Sequence, residues 1–116
     1  AAHENKFPLF PGVVTPTEIM AALELGWKHL KFFPAETFGG VNALKALAGP
    51  FGHTGVKFVP TGGITATTLP SYLAVPQVAA IGGSWMADRK LVAEKAWDKI
   101  IALTAEAMKV ITTAKA

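Results

Sequence analysis

The sequence predicts an α/β chain of four strand–helix units, the pattern of one half of an eight-stranded (β/α) barrel. Three observations predict it. Four short apolar runs, Phe7 to Val13, Leu30 to Pro34, Val56 to Pro60 and Val78 to Ile81, alternate with stretches of helical spacing. Strands joined by helical crossovers are parallel and covered by those helices. Polar and glycine-rich punctuation falls just after the runs, at Pro11-Gly12, Pro34-Ala35-Glu36, Thr61-Gly62-Gly63 and Gly82-Gly83-Ser84. Those are the strand ends at which barrel enzymes carry their sites. Finally, alternation puts Leu30 and Phe32 on one face of the second run and Lys31 and Phe33 on the other. A small open parallel sheet is the alternative, but helices on both of its faces leave Lys31 no natural place. A complete barrel takes about 200 residues or more, and this chain has 116.

The elements follow in order. After the first run, Thr15-Pro16-Thr17-Glu18 opens a helix, with Thr15 as N-cap, Pro16 at the first helical position and Glu18 closing a capping box. Ile19, Met20 and Leu23 give its apolar face, and Gly26 its stop. The second run passes through Gly39-Gly40 into a helix carrying Val41, Leu44, Leu47 and Ala48, closed by Gly49-Pro50. The third run ends in Thr61-Gly62-Gly63-Ile64 and precedes a weaker helix from Thr68 to Ala74. The fourth ends in Gly82-Gly83-Ser84-Trp85. A long amphipathic stretch follows, with Trp97, Ile100, Ile101, Thr104, Met108 and Ile111 at steps of three and four, expected to face the core.

Composition narrows the function classes. Hydrophobic residues make up 51% and charged ones 16%, so a packed core is expected. No linker or low-complexity run divides the chain, so residues 1–116 read as a single unit of four β/α repeats. No apolar run approaches the roughly 18 residues of a membrane span. The N-terminus, AAHENKFPLF, has no basic-then-apolar signal pattern and no initiator Met. A cytoplasmic chain, processed or truncated, is the expectation. The formal charge of +3 comes from scattered basic residues, with only Arg89 and Lys90 adjacent, and so offers no nucleic-acid stripe. With no cysteine there is no disulfide, thiolate metal site or Cys nucleophile, and His3, His29 and His53 lack metal-ligand spacing.

Two constellations carry chemistry. A lysine held in a largely apolar strand has its charged form disfavoured. As a neutral amine, Lys31 is a nucleophile toward carbonyl carbon, the basis of Schiff-base catalysis. Snorkelling to solvent, or pairing with an acid, is the structural alternative for it. Lys57 begins its run, at the end opposite the loops, so a solvated strand start explains it. The pairs Gly62-Gly63 and Gly82-Gly83 let backbone N–H groups approach a ligand closely. Helices beginning just after them would add their dipoles to an anion site, and Ser84 a hydroxyl donor. The sequence thus places a carbonyl-attacking amine beside a phosphate seat.

KFFPAE at Lys31 to Glu36, GGVNALKALAGPF at Gly39 to Phe51, KFVPTGGI at Lys57 to Ile64 and IGGSW at Ile81 to Trp85 closely resemble the 2-keto-3-deoxy-6-phosphogluconate (KDPG) aldolase family. FPLFPGVVTPTEIM is similar to that family's fifth strand and the helix after it. The resemblance implies the C-terminal half of a (β/α)8 TIM barrel, strands five to eight with their helices. It implies a lyase of the Entner–Doudoroff pathway, a class I aldolase that uses no metal or other cofactor and yields pyruvate and glyceraldehyde 3-phosphate. Carried over to this chain, Lys31 is the Schiff-base lysine and Phe33 its pocket neighbour. Thr61, Gly62, Gly63, Gly83 and Ser84 line the substrate and phosphate end.

The family's acid/base glutamate, and the arginine and threonine that hold the substrate carboxylate, belong to the absent first half. The expected partners are therefore the phosphorylated keto-acid substrate, pyruvate, and a missing half-barrel or another copy of the chain. A homotrimer is implied for the full-length enzyme. Against this stands a non-catalytic reading, a half-barrel that binds phosphate or assembles. Glu36 stays undecided between ordering its loop and catalysis.

Overall fold

The computed structural model describes residues 1–2 and 4–115. Three parallel strands, β1 (Gly12–Val13), β2 (His29–Phe32) and β3 (Lys57–Phe58), lie side by side in chain order. Gly12 pairs with Lys31 and Val13 with Phe32, while His29 pairs with Lys57 and Leu30 with Phe58. A fourth ribbon borders β3, where Phe58 bridges Val78 and Thr61 bridges Gly82.

Between β1 and β2 runs α1 (Pro16–Glu24). Glu18 Oε2 accepts from the N–H groups of Val14 and Thr15 at 2.8 and 3.0 Å, and Thr15 Oγ1 accepts from the Glu18 N–H at 3.3 Å, so the predicted capping box forms. These donors hold the exposed Glu18 carboxyl below the usual carboxylate range. Gly26, at φ +83, ends the helix. The Trp27 N–H reaches Ala22 O at 3.0 Å and the Gly26 N–H reaches Leu23 O at 2.9 Å, the paired bonds of a glycine-terminated helix.

Next come α2 (Gly40–Phe51), α3 (Leu69–Leu73), α4 (Arg89–Ala93) and α5 (Trp97–Lys115). The core gathers one face of β2 and β3 with α1, α2 and α3. Leu30, Phe32, Phe58, Ile19, Leu44 and Tyr72 are all fully buried. Each large apolar side chain so placed stabilises the fold by about 1.5–3 kcal/mol.

Four expectations need correction. The first apolar run is strand only at Gly12–Val13, and Phe7, Leu9 and Phe10 are exposed. Pro8 and Pro11 bring no N–H to a ladder, and among the described residues no strand lies on the far side of β1. The fourth run is a pair of bridges rather than a full strand, because its ladder is one-sided, with Ala79 N–H to Phe58 O and Gly82 N–H to Pro60 O, both 2.9 Å. The second helix does not close at Gly49-Pro50. It continues to Phe51, which packs on the core, and the Thr54 hydroxyl donates to Phe51 O at 2.6 Å to complete the exit turn.

The fourth correction concerns α5. Only Ala107 is buried, flanked by half-buried Ile100, Leu103 and Val110, whereas Trp97, Ile101 and Met108 are 54%, 65% and 53% exposed. The helix has two apolar stripes. It rests on the five-residue helices α3 and α4 and the Trp85–Ala87 turn, which cover only one of them. The radius of gyration, 15.4 Å, exceeds the roughly 13 Å of a compact chain of this length, as an open sheet edge and a half-covered helix require.

Candidate functional site

The site is built from the C-terminal ends of β2 and β3. Pleating sends Leu30 and Phe32 into the core and turns Lys31, half-buried, to the opposite face. The Lys31 N–H donates to Pro11 O at 2.9 Å, and its Nζ lies 4.5 Å from the centroid of the Phe33 ring, over the ring face. A cation on an aromatic face is attracted by the ring quadrupole. This contact sets the half-buried amine against the Phe33 ring.

Beyond Phe33 the chain turns through a cis Phe33–Pro34 bond and lies against the loop after β3. The Ala35 N–H donates to Thr61 O at 2.8 Å and the Glu36 N–H to Gly62 O at 3.0 Å. Glycine is required in that loop. Gly62 and Gly63 have φ +105 and +76, and a Cβ on Gly62 would lie 3.1 Å from Pro34 Cα and 3.2 Å from Phe33 Cδ2. Lys31, Phe33 and Gly62 thus form one contiguous row. Thr61 extends it, its N–H donating to Phe32 O at 2.9 Å and its side chain lying against the Cα of Gly82.

The second glycine pair is shaped differently. Neither Gly82 nor Gly83 has positive φ. A Cβ at Gly82 would enter the Thr61 side chain, and one at Gly83 the Trp85 ring. Ser84 follows, exposed, and spends no hydrogen bond on capping the 85–87 turn. Among the described residues the N–H groups of Gly62, Gly63, Gly83 and Ser84 have no acceptor within the chain, so four donors border the row that starts at Lys31. The dipole expected behind them needs correction. The helix after Gly63 starts only at Leu69 and has five residues, and a three-residue turn follows Ser84. Among the described residues no helix end therefore stands directly behind these four N–H groups.

Glu36 has a partner. Its Oε1 accepts from the Tyr72 hydroxyl at 2.5 Å. Burial, and then the neighbouring carboxylate, push the Tyr72 phenol above its ordinary pKa. Lys57 is exposed at the opposite end of β3, its Nζ donating to Pro76 O at 3.2 Å, as a solvated strand start predicts. His29 and His53 are exposed and His3 lies outside the described residues. No cluster of three or more metal-ligating side chains occurs among the described residues.

Tyr72 and Trp85 escaped sequence reasoning. The signal for Tyr72 was there, since it is the only tyrosine, set in an apolar helix, and a buried phenol usually finds a partner. Nothing in the sequence indicates that the Trp85 ring folds back on Gly83.

Residues 1–103 match the family described as KDPG and KHG aldolase. A 2-dehydro-3-deoxy-phosphogluconate aldolase from Dickeya dadantii is 44% identical over 108 residues, 93% of this chain and 50% of that protein. The crystal structure of a KDPG aldolase from Legionella pneumophila, with pyruvate captured as a covalent carbinolamine, superposes with a TM-score of 0.78 at 43% identity, over 89% of this chain and 48% of that one. The Zymomonas mobilis 2-keto-3-deoxy-6-phosphogluconate aldolase with 3-phosphoglycerate gives 0.79 at 45% identity, over 91% and 48%. The chain spans about half the length of the curated relatives it matches.

Proposed function

The chain belongs to the KDPG and KHG aldolase family, and we propose that it supplies the imine-forming half of a class I aldolase. The observation that carries this reading is the row from Lys31 through Phe33 to the Thr61–Gly63 loop. It joins an accessible amine at a strand's C-terminal end to unused N–H donors. Lys31 acts as the nucleophile, Phe33 packs beside the adduct, and Thr61, Gly62, Gly63, Gly83 and Ser84 hold the substrate and its phosphate.

In the proposed reaction Lys31 Nζ attacks the C2 keto carbon of 2-keto-3-deoxy-6-phosphogluconate, and the carbinolamine loses water to a protonated imine. The C4 hydroxyl gives up its proton, the C3–C4 bond breaks, and its electron pair moves toward the imine nitrogen. Glyceraldehyde 3-phosphate leaves, and C3 of the remaining enamine takes a proton. Water then hydrolyses the imine, freeing pyruvate and the lysine. The carbinolamine of the Legionella relative is the kind of adduct that the first step makes. The 3-phosphoglycerate of the Zymomonas relative resembles the phosphorylated product. A substrate of the 4-hydroxy-2-oxoglutarate type is open to the same amine.

Residues 1–116 then act as one unit, four β/α repeats forming strands five to eight of a barrel. Side-by-side strand order supports this, because each right-handed crossover then puts its helix on the same face of the sheet. The partner proposed is the other half-barrel. It would pair with the free edges of β1 and of the 78–82 ribbon, and cover Phe7, Phe10, Trp97, Ile101 and Met108, which the chain leaves exposed. The acid/base group arrives with it, and in the full-length state a homotrimer in the cytoplasm is proposed. The same exposed surface favours a second reading, a non-catalytic half-barrel that assembles and binds phosphate.

A pyruvate-release assay on KDPG tests the proposal. The 116-residue chain alone is expected to turn over poorly, since general acid–base help is worth about 10²–10⁴ in rate. Mixing it with the first four β/α units of a relative should raise the rate by a comparable factor. Full turnover by a urea-stable monomer would refute the half-site reading, and phosphate binding without any pyruvate release from the mixture would favour the assembly reading.

A further inference from the structure

Glu36 and Tyr72 meet across 36 residues of sequence, and room is made for them from two sides. At Gly40, φ +60, where α2 begins, a Cβ would sit 3.4 Å from Glu36 Oε1 and 3.6 Å from the Tyr72 hydroxyl. At Gly63 a Cβ would fall 2.8 Å from Glu36 Cβ. The backbone of the same turn is tied as well, with Ala35 N–H to Thr61 O, Glu36 N–H to Gly62 O, and Gly40 N–H to Ala35 O at 2.9 Å. One turn is therefore fixed to α3 by its side chain, to the 61–63 loop by its backbone, and to α2 by close approach.

We propose that Glu36 and Tyr72 are positioning residues. They set the register between the end of the Lys31 strand and the Thr61–Gly63 loop, so that the lysine amine and the Gly62 and Gly63 N–H groups address one phosphorylated ligand together. Neither side chain touches that ligand. The inference rests on the aldolase reading in one respect, since the loop matters as a phosphate seat only under it. The physical core is independent of that reading. A fully buried phenol cannot shed its acceptor without an unsatisfied hydroxyl, so Tyr72 pins Glu36, and Glu36 pins the loop.

The test uses Tyr72→Phe, Glu36→Ala and Glu36→Gln in the whole chain, with two kinds of readout. By amide hydrogen exchange, Tyr72→Phe and Glu36→Ala should speed the Ala35 and Glu36 amides roughly tenfold, the scale of one hydrogen bond to a charged group. The Val59 amide, which donates to Leu30 O at 2.8 Å within the sheet, should not change. Glu36→Gln keeps an acceptor for the phenol and should stay near wild type. Affinity for inorganic phosphate should fall by a similar factor in the first two variants, while borohydride trapping of pyruvate at Lys31 stays within about twofold, because pyruvate carries no phosphate for the displaced loop to hold. Unchanged Ala35 and Glu36 exchange in Tyr72→Phe would overturn the proposal, as would Glu36→Gln failing as badly as Glu36→Ala. Acceleration of every amide, Val59 included, would reduce the pair to a stability element and overturn it too. A wild-type chain that neither traps pyruvate nor binds phosphate would instead defeat the aldolase reading, leaving the exchange pattern to decide on the pair.

Discussion

The loop of Gly62 and Gly63 and the loop of Gly82 and Gly83 end neighbouring ribbons and are written with the same two letters. In the first, the backbone itself needs glycine, since both residues have positive φ and the Phe33–Ala35 turn presses on Gly62. In the second, φ is ordinary and the demand comes from side chains, Thr61 on Gly82 and Trp85 on Gly83. The first loop is a fixed backbone conformation, held by Ala35, Glu36 and through Glu36 by Tyr72. The second is a packing solution, which its neighbours can renegotiate. A repeated motif thus marks equivalent places in consecutive units without implying an equivalent cause.

Substitution separates the two. Gly63→Ala should be the most damaging, costing about 2–5 kcal/mol. Left-handed backbone accounts for about 1–2 kcal/mol of that, and overpacking against Glu36 for about 1–3. Glu36→Gly in the same chain removes both the Cβ and the Cγ that the new methyl strikes and should recover only the packing part, as read by urea denaturation. Gly82→Ala should cost about 1–3 kcal/mol by overpacking alone. Adding Thr61→Ala removes the atoms it would strike, and a double-mutant cycle should give a favourable coupling of about 1–2 kcal/mol. Absence of that coupling would erase the distinction between the loops.

The smallest effect lies outside both loops and calibrates them. Glu18 has its folded pKa lowered by the N–H groups of Val14 and Thr15. Its contribution is therefore present above the unfolded carboxylate pKa, about 4.3, and is lost as pH falls through the lower folded value. The stability gap between wild type and Glu18→Gln should be open at pH 7 and close toward pH 3 in denaturant titrations, with both loops unaffected.

Where cause is local, the sequence was readable. The start and stop of α1 follow from Thr15, Glu18 and Gly26, each acting within a turn of itself. The two faces of β2 follow from alternation, which is why Lys31 stood out. Where cause is distant, the sequence was silent or misleading. α5 reads as a core helix because its residues are apolar, but which stripe is covered depends on how large its neighbours are. Phe7 to Phe10 reads as strand for the same reason, yet no described residue offers it a ladder. The Lys31–Phe33–Gly62 row was partly legible, its members flagged singly. The Tyr72–Glu36 contact that braces it needed the fold.

The central claim is that Lys31 is an imine-forming amine within this chain. Borohydride trapping with pyruvate, read by intact mass and then by peptide mapping, tests it most directly. Imine formation needs only the amine and its pocket. The account predicts one reduced adduct, on Lys31, and none after Lys31→Met. Failure to trap, or adducts spread over Lys28, Lys45 and Lys57 as readily as Lys31, would contradict it.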